Sequence, residues 1–436
     1  MSGEMISIRG GVPLHGDVTI GGAKNAALPM MAACLLTEDV CTLENVPNLA
    51  DVEAMAELLQ YLGATVETDP ANHRVKICAK TILRNDAPTA LVERMRASFL
   101  VTSALLARTG EMAAAVPGGC KLGSRPVDVD VRGFQQLGAT VVQERDGYRA
   151  TAARLHGTDL YLDYPSHTGT ENLMMAATLA EGDTTIINAS REPEIIALGD
   201  FLNRMGAHVR GIGTSTIRIQ GKRQLFGGHG VVVPDRLEAG TFAIAAAITR
   251  GDVILRAGSI ADFEQDAMMP VTQKLREAGI NIQFLDSRTM RVTAGKFLHA
   301  VDIQALHFPG FPTDLQAVFA TLMTQAQGVS TIYERVFDDR LRYVGELQKL
   351  GADIEVLSNT KALVRGPVPL RGLPVTALDL RCGAALVLAG LAADGTTTIR
   401  AAHHLRRGYE RMIEKMAGIG AYATYEVTDS AVAPAD

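Results

Sequence analysis

Six times along this chain, at intervals of about 70 residues, a helical pattern ends in glycine and passes into a short strand. The copies are Leu62-Gly63-Ala64-Thr65-Val66, Leu137-Gly138-Ala139-Thr140-Val141, Met205-Gly206-Ala207-His208-Val209, Ala278-Gly279-Ile280-Asn281-Ile282, Leu350-Gly351-Ala352-Asp353-Ile354 and Ile419-Gly420-Ala421-Tyr422-Ala423. Glycine there fits the left-handed backbone that closes a helix before a strand. A second element keeps the same interval, a small-residue helix followed by a turn and a β-branched strand. It is clearest in Leu173–Ile187 and Ala385–Ile399, with further copies starting near Ala26, Ser98, Gly240 and Leu315. Each unit therefore holds two helices and about four strands. A fixed period also suits a solenoid, but this unit is longer than common solenoid repeats and contains a buried-looking helix. The pattern predicts an α/β chain of two compact lobes, three units each, with Ala-rich helices central and sheets outside. The lobes are expected at 23–233 and at 1–22 plus 234–425, joined near Val233-Pro234-Asp235. One long first strand (about Ile6 to Ile20) crosses back to the second lobe, and 426–436 form a disordered tail.

The 436 residues suffice for two cores. A net charge of −6 provides no basic footprint for nucleic acid, so any anionic ligand must meet a local cluster of Arg and Lys. Five cysteines without CxxC spacing suggest neither a disulfide framework nor a metal site. Cys34 and Cys78 read as packing residues. Met1–Ile6 has no basic stretch leading into an apolar one, and runs such as Ala26–Leu36 are too short to span a bilayer. A cytoplasmic protein is expected, without membrane association, obligate protein partner or cofactor.

Val116-Pro117-Gly118-Gly119-Cys120-Lys121-Leu122-Gly123-Ser124-Arg125-Pro126 sets one thiol among glycines and cations. Two readings stand: a thiol whose thiolate Lys121 and Arg125 favour, on a mobile lid, or an exposed cysteine in an ordinary loop. Gly21-Gly22-Ala23-Lys24-Asn25 opens a helix after a strand, where amides and Lys24 can hold an anion; it lacks Walker spacing. Arg94, Arg96, Arg381, Arg406 and Arg407 fall at equivalent helix entrances, where a cation opposes the dipole and needs an acidic or ligand partner. Thr313 or Asp314 is placed to cap a helix; as a general base, Asp314 would need a hydroxyl in reach. Ligand sites are expected where the lobes face each other.

These motifs, in this order, closely resemble the UDP-N-acetylglucosamine enolpyruvyl transferases, from about Met5 to Ala423. The matching segments are Gly22-Ala23-Lys24-Asn25, Met95-Arg96-Ala97-Ser98, Pro117–Cys120 with Gly123–Asp128, Arg191-Glu192-Pro193-Glu194, Pro234-Asp235-Arg236, Phe311–Asp314, Asp379-Leu380-Arg381 and Arg407-Gly408-Tyr409-Glu410. The resemblance implies an inside-out α/β barrel of two closing lobes, and addition–elimination between phosphoenolpyruvate and the sugar 3-hydroxyl. It implies that Cys120 protonates C3 and is the thiol fosfomycin alkylates, and that Asp314 serves as base. Lys24, Arg125 and Arg407 would surround phosphoenolpyruvate, with Arg96, Arg340 and Arg381 beside them. Asn25, Pro126, Val127, Asp128, Ser166, His167, Thr168, Val336 and Asp379 would line the substrates. A cation cluster suits two anionic groups, and a lid keeps water from the intermediate.

Three positions depart from the family pattern. Ser166-His167-Thr168-Gly169-Thr170 replaces the usual Ser-Val-Gly-Ala-Thr, leaving backbone contact to a diphosphate with glycine shifted by one. Arg406 replaces an aspartate beside the expected phosphate site, and Cys382 replaces a common alanine, as packing or as a second thiol near the cleft. The first departure keeps open a different nucleotide or sugar-nucleotide acceptor. A non-catalytic sugar-nucleotide-binding paralogue would not need Lys24, Cys120, Arg125, Asp314 and Arg407 together. The shikimate-pathway relative lacks a Pro-Gly-Gly-Cys lid of this kind.

Overall fold

The computed structural model describes residues 3–115, 127–258, 262–263 and 265–428. Segment 116–126, with Cys120, Arg125 and Pro126, lies outside them, as do 429–436 of the expected tail. The chain divides into two units, Gly21–Pro234 and Met1–Ile20 with Asp235–Asp436.

All six repeat glycines take left-handed conformations, with φ of 110° at Gly63, 95° at Gly138 and Gly206, 88° at Gly279, and 99° at Gly351 and Gly420. There a side chain would be strained, which is why the period is written in glycine. Each repeat contributes to one of six four-stranded sheets of a single pattern. A short edge strand runs parallel to its neighbour, and two antiparallel strands follow. In unit Gly21–Pro234 one such sheet orders Asp159–Tyr161, Asp183–Ile187, Thr216–Gln220 and His208–Arg210. Three sheets borrow strands from distant sequence, one of them by laying His15–Ile20 parallel to Asp252–Ala257. His229–Val231 lies parallel to Val40–Glu44, and Gly3–Arg9 inserts between Thr396–Arg400 and Tyr422–Thr428. The N-terminal strand thus completes the last repeat.

Where the sequence predicts one strand from Ile6 to Ile20, the structure has two, Gly3–Arg9 and His15–Ile20, in different sheets. Between them the amides of Gly10 and Gly11 bond to Gly395 O and Leu391 O, and Pro13 has no N–H to extend a ladder. At the other end the last strand continues past the expected start of the tail, Glu426 and Val427 pairing with Met5 and Glu4.

The small-residue helices are the centre of each unit. Arg236–Ile248 and Gln316–Met323 are buried at every position, and Leu380–Ala392 through Leu391. Alanine and glycine let such helices approach closely while their leucines and phenylalanines fill the core. The sheets cover them with one face, as the alternating burial of Asp183–Ile187 and Thr396–Arg400 records. This is the two-unit α/β architecture of repeated sheets that the pattern predicted. Several of the candidate site residues, among them Lys24, Arg96, His167 and Arg381, lie in the first turn of a helix or 3-10 segment.

Candidate functional site

In unit Gly21–Pro234 the helix Lys24–Ala33 begins without a side-chain cap. Its entrance is fixed instead by backbone: Ala23 N–H donates to Val233 O at 2.7 Å, and Gly22 bridges Pro234. A Cβ on Gly22 would collide with the Asn45 carbonyl oxygen, so glycine is required there. Lys24 is a cation at the positive end of its helix and is held by Asp51, Nζ to Oδ2 at 3.2 Å, with side chains 15% and 7% exposed. Asn25, half-buried, is the next residue of that turn.

Arg96 opens the 3-10 turn Arg96–Leu100 that leads into Val101–Thr109. Burial lowers its pKa from the usual value, while Asp130 and Tyr164 favour its charge. Asp130 is 3% exposed, and its Oδ1 accepts from Asn172 Nδ2 at 2.6 Å. Loss of water pushes this carboxyl up to about 6, against the opposing pull of Asn172 and Arg96. Buried Val127 precedes the helix Asp128–Gln136. Asp128 Oδ2 meets Arg132 Nη2 at 3.2 Å, and its buried Oδ1 has no hydrogen-bond partner among the described residues.

Ser166 caps the helix His167–Thr178, its Oγ accepting from Gly169 N–H at 3.2 Å. The Gly169 amide is therefore engaged by the cap. Glycine at 169 answers packing: a Cβ would lie 2.6 Å from Val129 Cγ1. His167 Nε2 stands 3.1 Å from Glu171 Oε1, one turn on. Burial opposes the imidazolium, but Glu171, with Glu192 and Glu194, outweighs it and raises the pKa to about 9. Thr168 completes this first turn.

In the other unit Asp314 lies in the 3-10 turn Thr313–Leu315. Neither Thr313 nor Asp314 caps a helix: Pro312 stands at the cap position without a side-chain bond. The Asp314 carboxylate instead accepts from Arg340 Nη2 through one oxygen and from Arg381 Nη2 at 2.5 Å through the other. Arg340 and Arg381 are 4% and 10% exposed, so the geometry joins one carboxylate to two buried guanidinium groups. Burial disfavours the Arg381 cation, yet Asp314, Tyr409 and Asp235 hold its pKa above the usual value. Asp379 caps Leu380–Ala392, accepting from the amides of Arg381 and Cys382 at 2.8 Å each. That cap directs Arg381 from the first helical turn to Asp314.

Thr313 Oγ1 donates to Glu334 Oε2 at 2.7 Å, and Glu334 Oε1 accepts from the amides of Val336 and Phe337 at 2.8 and 3.1 Å. Arg407 ends the 3-10 segment Ala402–Arg407, half-buried. Its neighbour Arg406 turns outward at 65% exposure to Glu4 Oε1 at 3.4 Å. Arg94 likewise pairs with Glu57 at the surface. Of the five arginines at helix entrances, these two serve as ordinary surface charges. Cys382 is buried, and loss of water pushes its thiol up to about 12, as fits packing. Cys34 is buried as expected, whereas Cys78 is only half-buried.

The residues that meet candidate site residues or their partners and escaped the sequence reading are Asp51, Asp130, Asn172, Glu171 and Glu334. Asp51 and Asp130 carried a signal, since each is acidic in a helix first turn. Glu334 carried another: in Gly328–Glu334 it shares the buried phase with Ser330 and Ile332.

The profile described as EPSP synthase (3-phosphoshikimate 1-carboxyvinyltransferase) matches residues 8–416. A UDP-N-acetylglucosamine 1-carboxyvinyltransferase of Gloeobacter violaceus is 49% identical over 95% of this chain and 89% of its own length. Proteins of the same name from Desulfosudis oleivorans and Magnetococcus marinus are 46% and 49% identical, each covering 96% of this chain and 98% of the relative. Among solved structures, the enolpyruvyl transferase NikO of Streptomyces tendae shares the fold, with TM-score 0.90 and 24% identity over 98% of this chain and 100% of that one. An EPSP synthase of Acinetobacter baumannii does so with TM-score 0.73 and 18% identity over 97% and 100%.

Proposed function

The chain belongs to the EPSP synthase family of carboxyvinyl (enolpyruvyl) transferases, and from that membership we propose the reaction it performs. It transfers the enolpyruvyl group of phosphoenolpyruvate to the 3-hydroxyl of UDP-N-acetylglucosamine and releases phosphate, the committing step of peptidoglycan synthesis. The observation that carries this is near-full-length identity of 44–49% to relatives of that one name. The assignment of roles to residues is our own reading.

Asp314, set between Arg340 and Arg381, takes the proton of the attacking hydroxyl. The sugar oxygen bonds to C2 of phosphoenolpyruvate while the Cys120 thiol delivers a proton to C3. Loss of a C3 proton and of phosphate then restores the double bond on the new ether. Lys24, Arg125 and Arg407 neutralise carboxylate and phosphate, and Arg96 adds charge beside them. Asn25, Pro126, Val127, Asp128, the first turn Ser166-His167-Thr168, Val336 and Asp379 take the sugar nucleotide, whose diphosphate suits a helix start. We assign the reaction to the cytoplasm; among the described residues no helix is long and apolar enough to cross a membrane.

The pairing of His167 with Glu171 places an ion pair at the turn assigned to the nucleotide, which is why the test extends beyond one sugar nucleotide. The test follows phosphate release from phosphoenolpyruvate with a panel of UDP-sugars. Release with UDP-N-acetylglucosamine, abolished by fosfomycin, is expected. Release with another acceptor only would replace the substrate, and no release with any would replace enzyme with binding protein.

A further inference from the structure

We propose that Glu334 is a positioning residue for the transferase reaction, acting through the two segments it ties together, Thr313-Asp314 and Val336-Phe337. The proposal rests on the reading of Asp314 as the group that takes the acceptor's proton. Glu334 ends the strand Gly328–Glu334, opposite Ala305 in the parallel edge strand, and is 0% exposed. A buried carboxylate must be satisfied by partners, and those of Glu334 belong to site segments. Oε2 accepts from Thr313 Oγ1 at 2.7 Å, in the residue preceding Asp314. Oε1 accepts from Val336 and Phe337 N–H at 2.8 and 3.1 Å. Burial raises the Glu334 pKa, against the opposing pull of Thr313, the two amides and Arg340, which itself donates to Asp314.

The consequence is mechanical. The turn Thr313–Leu315 has no side-chain cap of its own. Besides the Asp314 bonds to Arg340 and Arg381, it is tethered by the Thr313 hydroxyl, and the far end of that tether is fixed by two backbone amides. Without the Glu334 carboxylate the turn keeps the Asp314 bonds to Arg340 and Arg381 but loses the tie that sets its Thr313 end, so the Asp314 carboxylate shifts relative to an acceptor hydroxyl. A displacement near 1 Å at a reacting group costs on the order of 100-fold in rate.

The experiment compares E334A, E334Q and T313V with the unaltered protein. Phosphate release is measured at saturating substrates, and hydrogen exchange of Val336 and Phe337 amides without substrate. E334A is expected to lose roughly 10- to 100-fold in kcat, to leave KM for phosphoenolpyruvate unchanged, and to expose both amides to exchange. E334Q keeps an acceptor for the amides and a polar partner for Thr313, so it should recover most of the turnover and the protection. T313V should lose turnover while keeping the amides protected. Wild-type turnover in T313V overturns the proposal even if E334A does not fold. So does E334Q as impaired as E334A, or an equal rise in KM for phosphoenolpyruvate. Should the unaltered protein release no phosphate with any acceptor, the functional reading fails. The exchange of Val336 and Phe337 in E334A still decides whether Glu334 holds them, and unchanged exchange refutes that.

Discussion

Asp130 provides a measurement in which burial and pairing pull in opposite directions. Its carboxyl is 3% exposed, bonded to Asn172 and near Arg96, yet loss of water raises its pKa to about 6. In the unfolded chain an aspartate titrates near ~3.9. Between those values the native state holds the proton more tightly, so stability falls as pH rises through the window. The difference is about two pK units, or roughly 3 kcal/mol at pH 8 and about half that at pH 5. Asp130→Asn keeps an oxygen to accept from Asn172 but has no charge to bury. It should exceed the unaltered protein in stability by up to about 3 kcal/mol at pH 8, with the gain shrinking toward pH 4. The chain has no tryptophan, so urea unfolding is followed by far-UV circular dichroism at pH 4.5, 5, 6 and 8. A variant less stable than the parent at pH 8, or an offset that ignores pH, would refute the argument. It would mean that attraction to Arg96 outweighs the cost of desolvation.

Asp314→Asn leaves Arg340 and Arg381 buried without their carboxylate, a loss of about 3–5 kcal/mol in unfolding free energy, and should abolish phosphate release. A variant as stable as the parent would show both guanidinium groups satisfied elsewhere. The His167 pKa is raised to about 9, so its contribution is complete below about 6.5 and lost as pH rises through 9; His167→Val should flatten the stability profile across that window, measured by thermal unfolding. Gly169→Ala forces a methyl against Val129 and Ser166 and should cost about 1–3 kcal/mol; a neutral effect would mean the two helices part easily. Cys120→Ala should abolish phosphate release and fosfomycin sensitivity while Cys34→Ala retains both, and equal loss in the two variants would remove the role assigned to Cys120.

Much of the architecture was legible because its constraints are local. Left-handed backbone at Gly63, Gly138, Gly206, Gly279, Gly351 and Gly420 is a property of single residues, so the repeat appears in the sequence itself. The same holds for the buried small-residue helices, whose composition along a few turns declares that no face meets water. Local chemistry misled where a side chain had two uses. Asp314 stands where a cap would, but two arginines recruit it. Gly169 also packs against Val129 and donates to the Ser166 cap, two local demands that the sequence alone did not show.

The chain alone therefore determined six units, their helix and strand content, and which residue types lie at each helix entrance. Tertiary structure decided which charges meet: Lys24 with Asp51, Arg96 near Asp130, Asp314 with Arg340 and Arg381, while Arg94 and Arg406 were left to surface partners. Ion pairing depends on distance and on exclusion of water, and both arise only when segments far apart in sequence pack together.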